Sequence, residues 1–112
     1  MAGRRIGMAQ YALRPYLGDM PSNAVRDNPD LNRFEMDIGG KLAVANYRAA
    51  PGVLTVYHTE VPSELEGRGH GSTLVRGVLD LMRARGLKIV PRCGFVRAFI
   101  ARHPEYSDLV TQ

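Results

Sequence analysis

Two short stretches of this chain hold most of its chemical potential. The first reads Pro62, Ser63, Glu64, Leu65, Glu66, Gly67, Arg68, Gly69, His70, Gly71, Ser72. Glycines at alternate positions ahead of an apolar-periodic segment let the backbone N–H groups of residues 68–72 turn toward one point, where a helix start adds partial positive charge. That is a cradle for a pyrophosphate. The alternative is a Gly-rich turn imposed by close helix–strand packing. The spacing matches neither the GxGxxG of dinucleotide folds nor the GxxxxGK loop of nucleotide phosphatases. The second stretch surrounds the single thiol, Cys93, with Arg92 and Arg97 nearby. A helix start and two guanidinium groups would both stabilise a thiolate there. The alternative is an inert buried cysteine.

Other side chains qualify as proton carriers. His58 alternates with Leu54 and Val56, which predicts a place on the same apolar face, either as a half-buried histidine or as a base toward an amine at neutral pH. Glu60 shares its phase and could do the same work. His103, directly before Pro104, suits the C-terminus of a helix. Tyr106 reads as a packing tyrosine or as an acid toward a leaving thiolate. The 3 histidines and the lone cysteine have no metal-ligand spacing.

These residues need elements to hold them. In a chain of 112 residues, 45% hydrophobic and 23% charged, a single domain is expected, able to fold without disulfides or metal. Residues 1–26 lack a period, carry Arg4, Arg5 and Arg14 against Asp19, and contain Pro15, Gly18 and Pro21, so they read as an irregular basic arm ahead of a folded domain at 27–112. Residues 32–38 alternate, with Phe34, Met36 and Ile38 on one face of a strand. Gly39 and Gly40 predict a hairpin to a return strand at 41–48. The turn Ala49, Ala50, Pro51, Gly52 leads to a third strand at 53–61, rich in β-branched and aromatic residues. The period then changes: Leu74, Val75, Val78, Leu79 and Met82 mark one stripe of a helix over 71–85, with Gly86 past its end. A buried strand at 87–90 closes on Pro91 and should lie parallel to the third strand. A last helix spans 95–102, with Val96, Phe99 and Ile100 inward and Pro104 beyond. The fold class is α/β, a mixed sheet with an antiparallel meander, a Gly-rich loop, a helix crossover to a parallel strand and a C-terminal helix.

Charge narrows the partners. The formal net charge is +4, and the cations concentrate between residues 62 and 103, which suits nucleic acid, an acidic protein or a phosphorylated small molecule. Nucleic acid is the weakest of these, since no aromatic stacking platform or recognised motif accompanies the arginines. No apolar run reaches the length of a membrane span, and the N-terminal residues contain no apolar h-region, so a cytoplasmic setting is expected.

At this point the residues resemble a family. Gly69 and Gly71, after a strand and opening a helix, are similar to the acyl-CoA-binding segment of the GNAT N-acetyltransferase superfamily, with Glu66 where that segment usually has Gln or Arg. Further segments resemble its small YjdJ-type N-acetyltransferase domain: Asn28 with Arg33, Phe34 and Glu35; His58, Thr59, Val61 and Pro62; Pro91, Cys93, Phe95 and Val96; His103, Pro104, Glu105 and Tyr106. The resemblance implies a reduced GNAT-like fold that binds acetyl-CoA where the third strand and the strand after the helix splay apart. Its pantetheine would pair near Thr59 and Val61, and its pyrophosphate would meet Gly67, Arg68, Gly69, His70, Gly71 and Ser72. Cys93 would lie near the acyl thioester. Transfer to an amine acceptor, such as a protein or a polyamine, is the implied activity. A non-catalytic acyl-CoA-binding or regulatory module is the other reading. Full-size members usually have helices over the acceptor side; Gly39 and Gly40 leave no room for them, so that side should be open.

Overall fold

Phe34 and Met36 alternate with charged residues, and in the computed structural model, which describes residues 24–112, both are fully buried within β2 (Arg33–Ile38). Gly39 and Gly40, at φ +57° and +88°, turn the chain into β3 (Lys41–Ala50), as a two-residue hairpin with paired positive φ requires. β4 (Val53–Glu60) returns antiparallel to β3, and β5 (Lys88–Pro91) lies parallel to β4. Between them runs α1 (His70–Ala84); α2 (Gly94–Arg102) and a 3₁₀ segment, Pro104–Leu109, complete the chain. The mixed sheet is therefore the expected one, with one strand more.

The additional strand is β1 (Val25–Asn28), antiparallel to β2 at the edge of a sheet ordered β1-β2-β3-β4-β5. Val25 and Arg26 thus belong to the sheet rather than to an irregular arm; residues 1–23 of that arm lie outside the described residues. Long-range contacts hold β1 in place. Tyr47 donates its hydroxyl to Asp27 at 2.7 Å, Arg85 reaches the other oxygen of Asp27 at 2.7 Å, and Arg26 bridges to Asp37 and Glu35. Val25 leans on α1 at Gly77, where a Cβ would come within 2.3 Å of a valine methyl.

All five stripe residues of α1 are buried, together with Val96, Phe99 and Ile100 of α2, in one cluster with Phe34, Met36, Ala45, Val56 and Ile89. Burial of each large side chain contributes about 1.5–3 kcal/mol. The sheet residues in this cluster all lie on one face, and both helices cover it. Beyond α2, Val110 bridges to Ile89 and Thr111 donates to the Ile89 carbonyl at 2.9 Å, which occupies the outer edge of β5. No described helix is long and apolar enough to cross a membrane.

The pairing of β3 with β4 contains an irregularity that decides where the site residues point. Asn46 faces His58, but Tyr47 faces Val56, so Tyr57 is an extra residue on β4. This is a β-bulge, and it reverses the alternation beyond it. Thr59 pairs with buried Ala45 and falls on the helix-covered face with Leu54 and Val56. His58 and Glu60, opposite Asn46 and Val44, fall on the other face. The expected position of His58 on the apolar face is corrected by this one inserted residue. On that second face Glu35 is only 5% exposed although no described helix covers it. Arg33, Asn28 and Arg26 surround its carboxylate at 2.8, 2.9 and 3.1 Å. Hydrogen bonds from Arg33 and then Asn28 hold its pKa below the usual carboxylate range.

Candidate functional site

The loop after β4 passes through a short 3₁₀ turn, Ser63–Leu65, and enters α1 at Gly69, whose φ of +84° only glycine adopts without strain. No side chain caps this helix, and its first turn holds no acid. The first i→i−4 bond runs from the Thr73 N–H to the Gly69 carbonyl at 3.1 Å. His70, Gly71 and Ser72 supply the first-turn N–H groups, for which a helix has no internal acceptor. A bare helix start of this kind attracts an anion.

In front of it is a cavity of about 430 Å³, walled by Thr59 and Val61 from the end of β4, by the loop and first turn of α1, and by Phe95 of α2. Of the residues expected to hold a ligand, Thr59, Val61, Gly67, Gly69, His70, Gly71 and Ser72 line it. Arg68 and Cys93 do not. Leu65, Glu66 and Phe95 line it as well, and the sequence reading assigned none of them to the site. Gly71 has a reason beyond its backbone: a Cβ there would lie 2.9 Å from the tip of the Phe95 ring.

Cys93 stands next door. Its sulfur is 3.6 Å from the Thr59 hydroxyl, and Thr59 is a wall of the cavity. The residue is the N-cap of α2, in extended backbone and without a capping hydrogen bond. Burial pushes its thiol pKa up, but the N–H of Val96, the Thr59 hydroxyl and the N–H groups of Phe95 and Thr59 outweigh it, leaving the thiol below its ordinary value. The expected lowering is present, and of the two expected causes it is the helix start that acts, joined by the Thr59 hydroxyl. Arg97 turns its guanidinium to the carbonyls of Pro91 and Arg92, at 3.2 and 2.9 Å. Helix-start donors and a hydroxyl take the role expected of the arginines.

His58 and Glu60 point away from this chamber, onto the face that no described helix covers, where their side chains are 55% and 69% exposed and 3.5 Å apart. The strand that walls the cavity with Thr59 and Val61 therefore offers a basic pair on its opposite side. His103 and Tyr106 take structural roles. The His103 ring stacks on Phe99 with Nδ1 at 2.8 Å from the Phe99 carbonyl, and Tyr106 is buried with its hydroxyl donated to Asp80 at 2.7 Å.

The arrangement joins an anion cradle, a narrow chamber against a strand end and a tuned thiol at the opening between two parallel strands, where ligands of open α/β sheets lie. Comparison with known proteins identifies the fold and the family. A solution structure of a GCN5-like N-acetyltransferase candidate from Staphylococcus aureus superposes with a TM-score of 0.61 at 27% identity, covering 82% of this chain and 91% of that one. No curated protein sequence matches significantly. The family model for GCN5-related N-acetyl-transferases matches residues 33–109, from the first residue of β2 through the last residue of the C-terminal 3₁₀ segment. The chain belongs to the GCN5-related N-acetyltransferase family.

Proposed function

We propose that the protein binds acetyl-CoA in the cavity between β4 and the two helix starts and transfers the acetyl group to an amine, as a YjdJ-type member of the family. The observation that carries this reading is the bare N-terminus of α1 opening on a cavity walled by Thr59 and Val61. The first-turn N–H groups of α1 would hold the pyrophosphate, and the extended end of β4 would pair with the amide groups of pantetheine. The acceptor, a lysine-bearing protein or a polyamine, would come from the face that no described helix covers and reach the thioester past the last β4–β5 pair, Val56 with Pro91, with His58 or Glu60 taking the amine proton on that side. Nitrogen then bonds to the thioester carbonyl carbon, the carbon–sulfur bond breaks, and CoA leaves as the thiolate. Direct transfer is the simpler route, because moving the acetyl group onto Cys93 exchanges one thioester for another and gains little driving force. A cytoplasmic setting fits the substrate and the free thiol.

A second reading is a non-catalytic acyl-CoA-binding module, favoured by the high exposure of His58 and Glu60, the candidate proton acceptors. Calorimetry with CoA and acetyl-CoA, followed by CoA release in the presence of polyamines and lysine peptides, separates the two. Binding with amine-dependent release supports the transferase. Binding without release supports the module. Absence of binding overturns both. An acetyl adduct on Cys93 by mass spectrometry, formed without acceptor, would replace direct transfer with a covalent route.

A further inference from the structure

Arg76 is an exposed cation of α1 that forms no ion pair among the described residues. Its side chain donates to the Tyr106 hydroxyl at 3.4 Å, and that hydroxyl is itself given to Asp80 at 2.7 Å, so it steadies the guanidinium without neutralising it. The guanidinium lies over the Phe99 ring, 5.4 Å from its centroid. This contact locates Arg76 relative to the cavity. Gly71 of α1 meets the Phe95 ring of α2, and both residues belong to the cavity wall. Farther along the same two helices Arg76 meets Phe99. The two contacts advance along α1 and α2 in the same direction, so the groove between the helices leads from the cavity to Arg76. From residue 71 to residue 76 the helix rises about 7.5 Å. Other arginines nearby are engaged: Arg83 pairs with Asp108, and Arg97 is turned to the carbonyls of Pro91 and Arg92.

We propose that Arg76 binds the 3′-phosphate of coenzyme A and makes the site selective for CoA over dephospho-CoA. The proposal rests on acyl-CoA occupying this cavity with its diphosphate at the start of α1. A single ribose joins the diphosphate of CoA to the 3′-phosphate, so seating the first at the helix start brings the second within reach of a long side chain in the adjoining groove. The first-turn N–H groups of α1 are taken by the diphosphate and cannot serve both. A guanidinium suits the remaining anion, because it offers two parallel N–H donors to two phosphate oxygens. The Phe99 ring beneath it and the Tyr106 hydroxyl beside it hold the fork in one place before the ligand arrives.

The test measures Kd for CoA and dephospho-CoA by calorimetry with the full chain, Arg76→Gln and Arg76→Lys, and uses thermal unfolding as a check on folding. The wild type should favour CoA by about fivefold or more at low salt, as charge-assisted hydrogen bonds to an exposed phosphate allow, and the ratio should shrink as salt is raised. Arg76→Gln should bring the ratio close to one while dephospho-CoA binds nearly as before. Arg76→Lys keeps the charge without the fork and should fall between. A merely structural role for Arg76, through Tyr106 and Phe99, would weaken both ligands alike and leave the ratio standing. If the glutamine variant does not fold, the lysine variant carries the comparison. Equal affinity of the wild type for the two ligands, or a ratio that neither folded variant changes, overturns the role of Arg76 while leaving the cavity as a CoA site. Failure of the wild type to bind either ligand overturns the site and this proposal with it.

Discussion

The two helix starts beside the cavity have the same backbone chemistry and offer different things. Neither α1 nor α2 has a side-chain cap, and neither has an acid in its first turn. At α1 the N-cap is a left-handed glycine and residue 71 is also glycine, so the first-turn donors open on a cavity wide enough for a large anion. At α2 the N-cap is Cys93, and the first-turn N–H groups of Val96 and Phe95 help hold its thiol pKa below the ordinary value. One start stands open to a cavity and the other tunes an atom of its own chain. A helix dipole is therefore a resource whose use depends on the side chain at the cap: hydrogen delivers it to a ligand, and a thiol keeps it.

Glycine at residue 71 is the point at which this contrast breaks most readily. Gly71→Leu should weaken CoA binding by more than tenfold, about 1.4 kcal/mol or more, because the added side chain displaces the Phe95 ring into the cavity and covers the first-turn donors. The pH dependence of Cys93 alkylation should stay as it was, since the donors to its sulfur come from α2 and Thr59. Unchanged affinity in a folded Gly71→Leu protein would show that the anion does not sit at α1.

Gly77, farther along α1, separates ligand access from packing. Alanine there would gain helix propensity, about 1 kcal/mol, but its Cβ would overlap Val25, 2.3 Å from one methyl and 2.8 Å from the valine Cβ. Overpacking of this kind costs about 1–3 kcal/mol, so Gly77→Ala should lower stability by about 1 kcal/mol in chemical denaturation. CoA affinity should be unaltered. A loss of affinity equal to that of Gly71→Leu would mean that β1 supports the site directly.

How far these features were legible depends on whether a local pattern encodes them. The stripe Leu74, Val75, Val78, Leu79 and Met82 is periodic over two turns, and the whole stripe is buried. Gly39 and Gly40 signal their hairpin by residue type alone. β1 has no such signal: in Val25, Arg26, Asp27 and Asn28 only the valine is apolar, and the strand is held by partners more than five residues away, Glu35, Asp37, Tyr47 and Arg85. The bulge at Tyr57 is equally silent. A strict period of two carries His58 to the apolar face, while the extra residue carries Thr59 there instead. Phe95 was given no place in the site because its position is off the inward face of α2, and its seat on Gly71 becomes visible only when α1 is laid beside it. Five residues of the cavity wall, Gly67, Gly69, His70, Gly71 and Ser72, were legible because the loop itself carries the pattern of glycines, while Thr59 and Val61 came from the family resemblance.

A smaller effect is expected at Glu66, the acid in the cavity wall. Its carboxylate opposes the negative phosphates that the bare helix start attracts. Glu66→Gln keeps the size and removes the charge, and at an exposed position the gain should be about 0.3–1 kcal/mol, roughly twofold to fivefold in affinity at low salt. The advantage should shrink as salt is raised, because exposed charges are screened. A Glu66→Gln protein that binds CoA less tightly would place the phosphates elsewhere.

The smallest expected change sharpens the other half of the contrast. Thr59 supplies one of several donors to the Cys93 sulfur, at 3.6 Å, and the N–H of Val96 ranks ahead of it among the lowering influences. Thr59→Val keeps the shape and removes the hydroxyl. The thiolate loses one hydrogen bond, so its pKa should rise, and the alkylation profile should move to higher pH while staying below that of an ordinary thiol. The direction follows from which form is stabilised: donors favour the ionised sulfur, and taking one away favours the proton. Iodoacetamide rates measured across pH for wild type and Thr59→Val give the two midpoints. If the midpoint does not move, the hydroxyl is not a donor to sulfur and the α2 backbone acts alone. If it moves above the value of a free thiol, Thr59 outweighs the helix start, and the contrast between the two N-termini would have to be recast as one between a helix and a side chain.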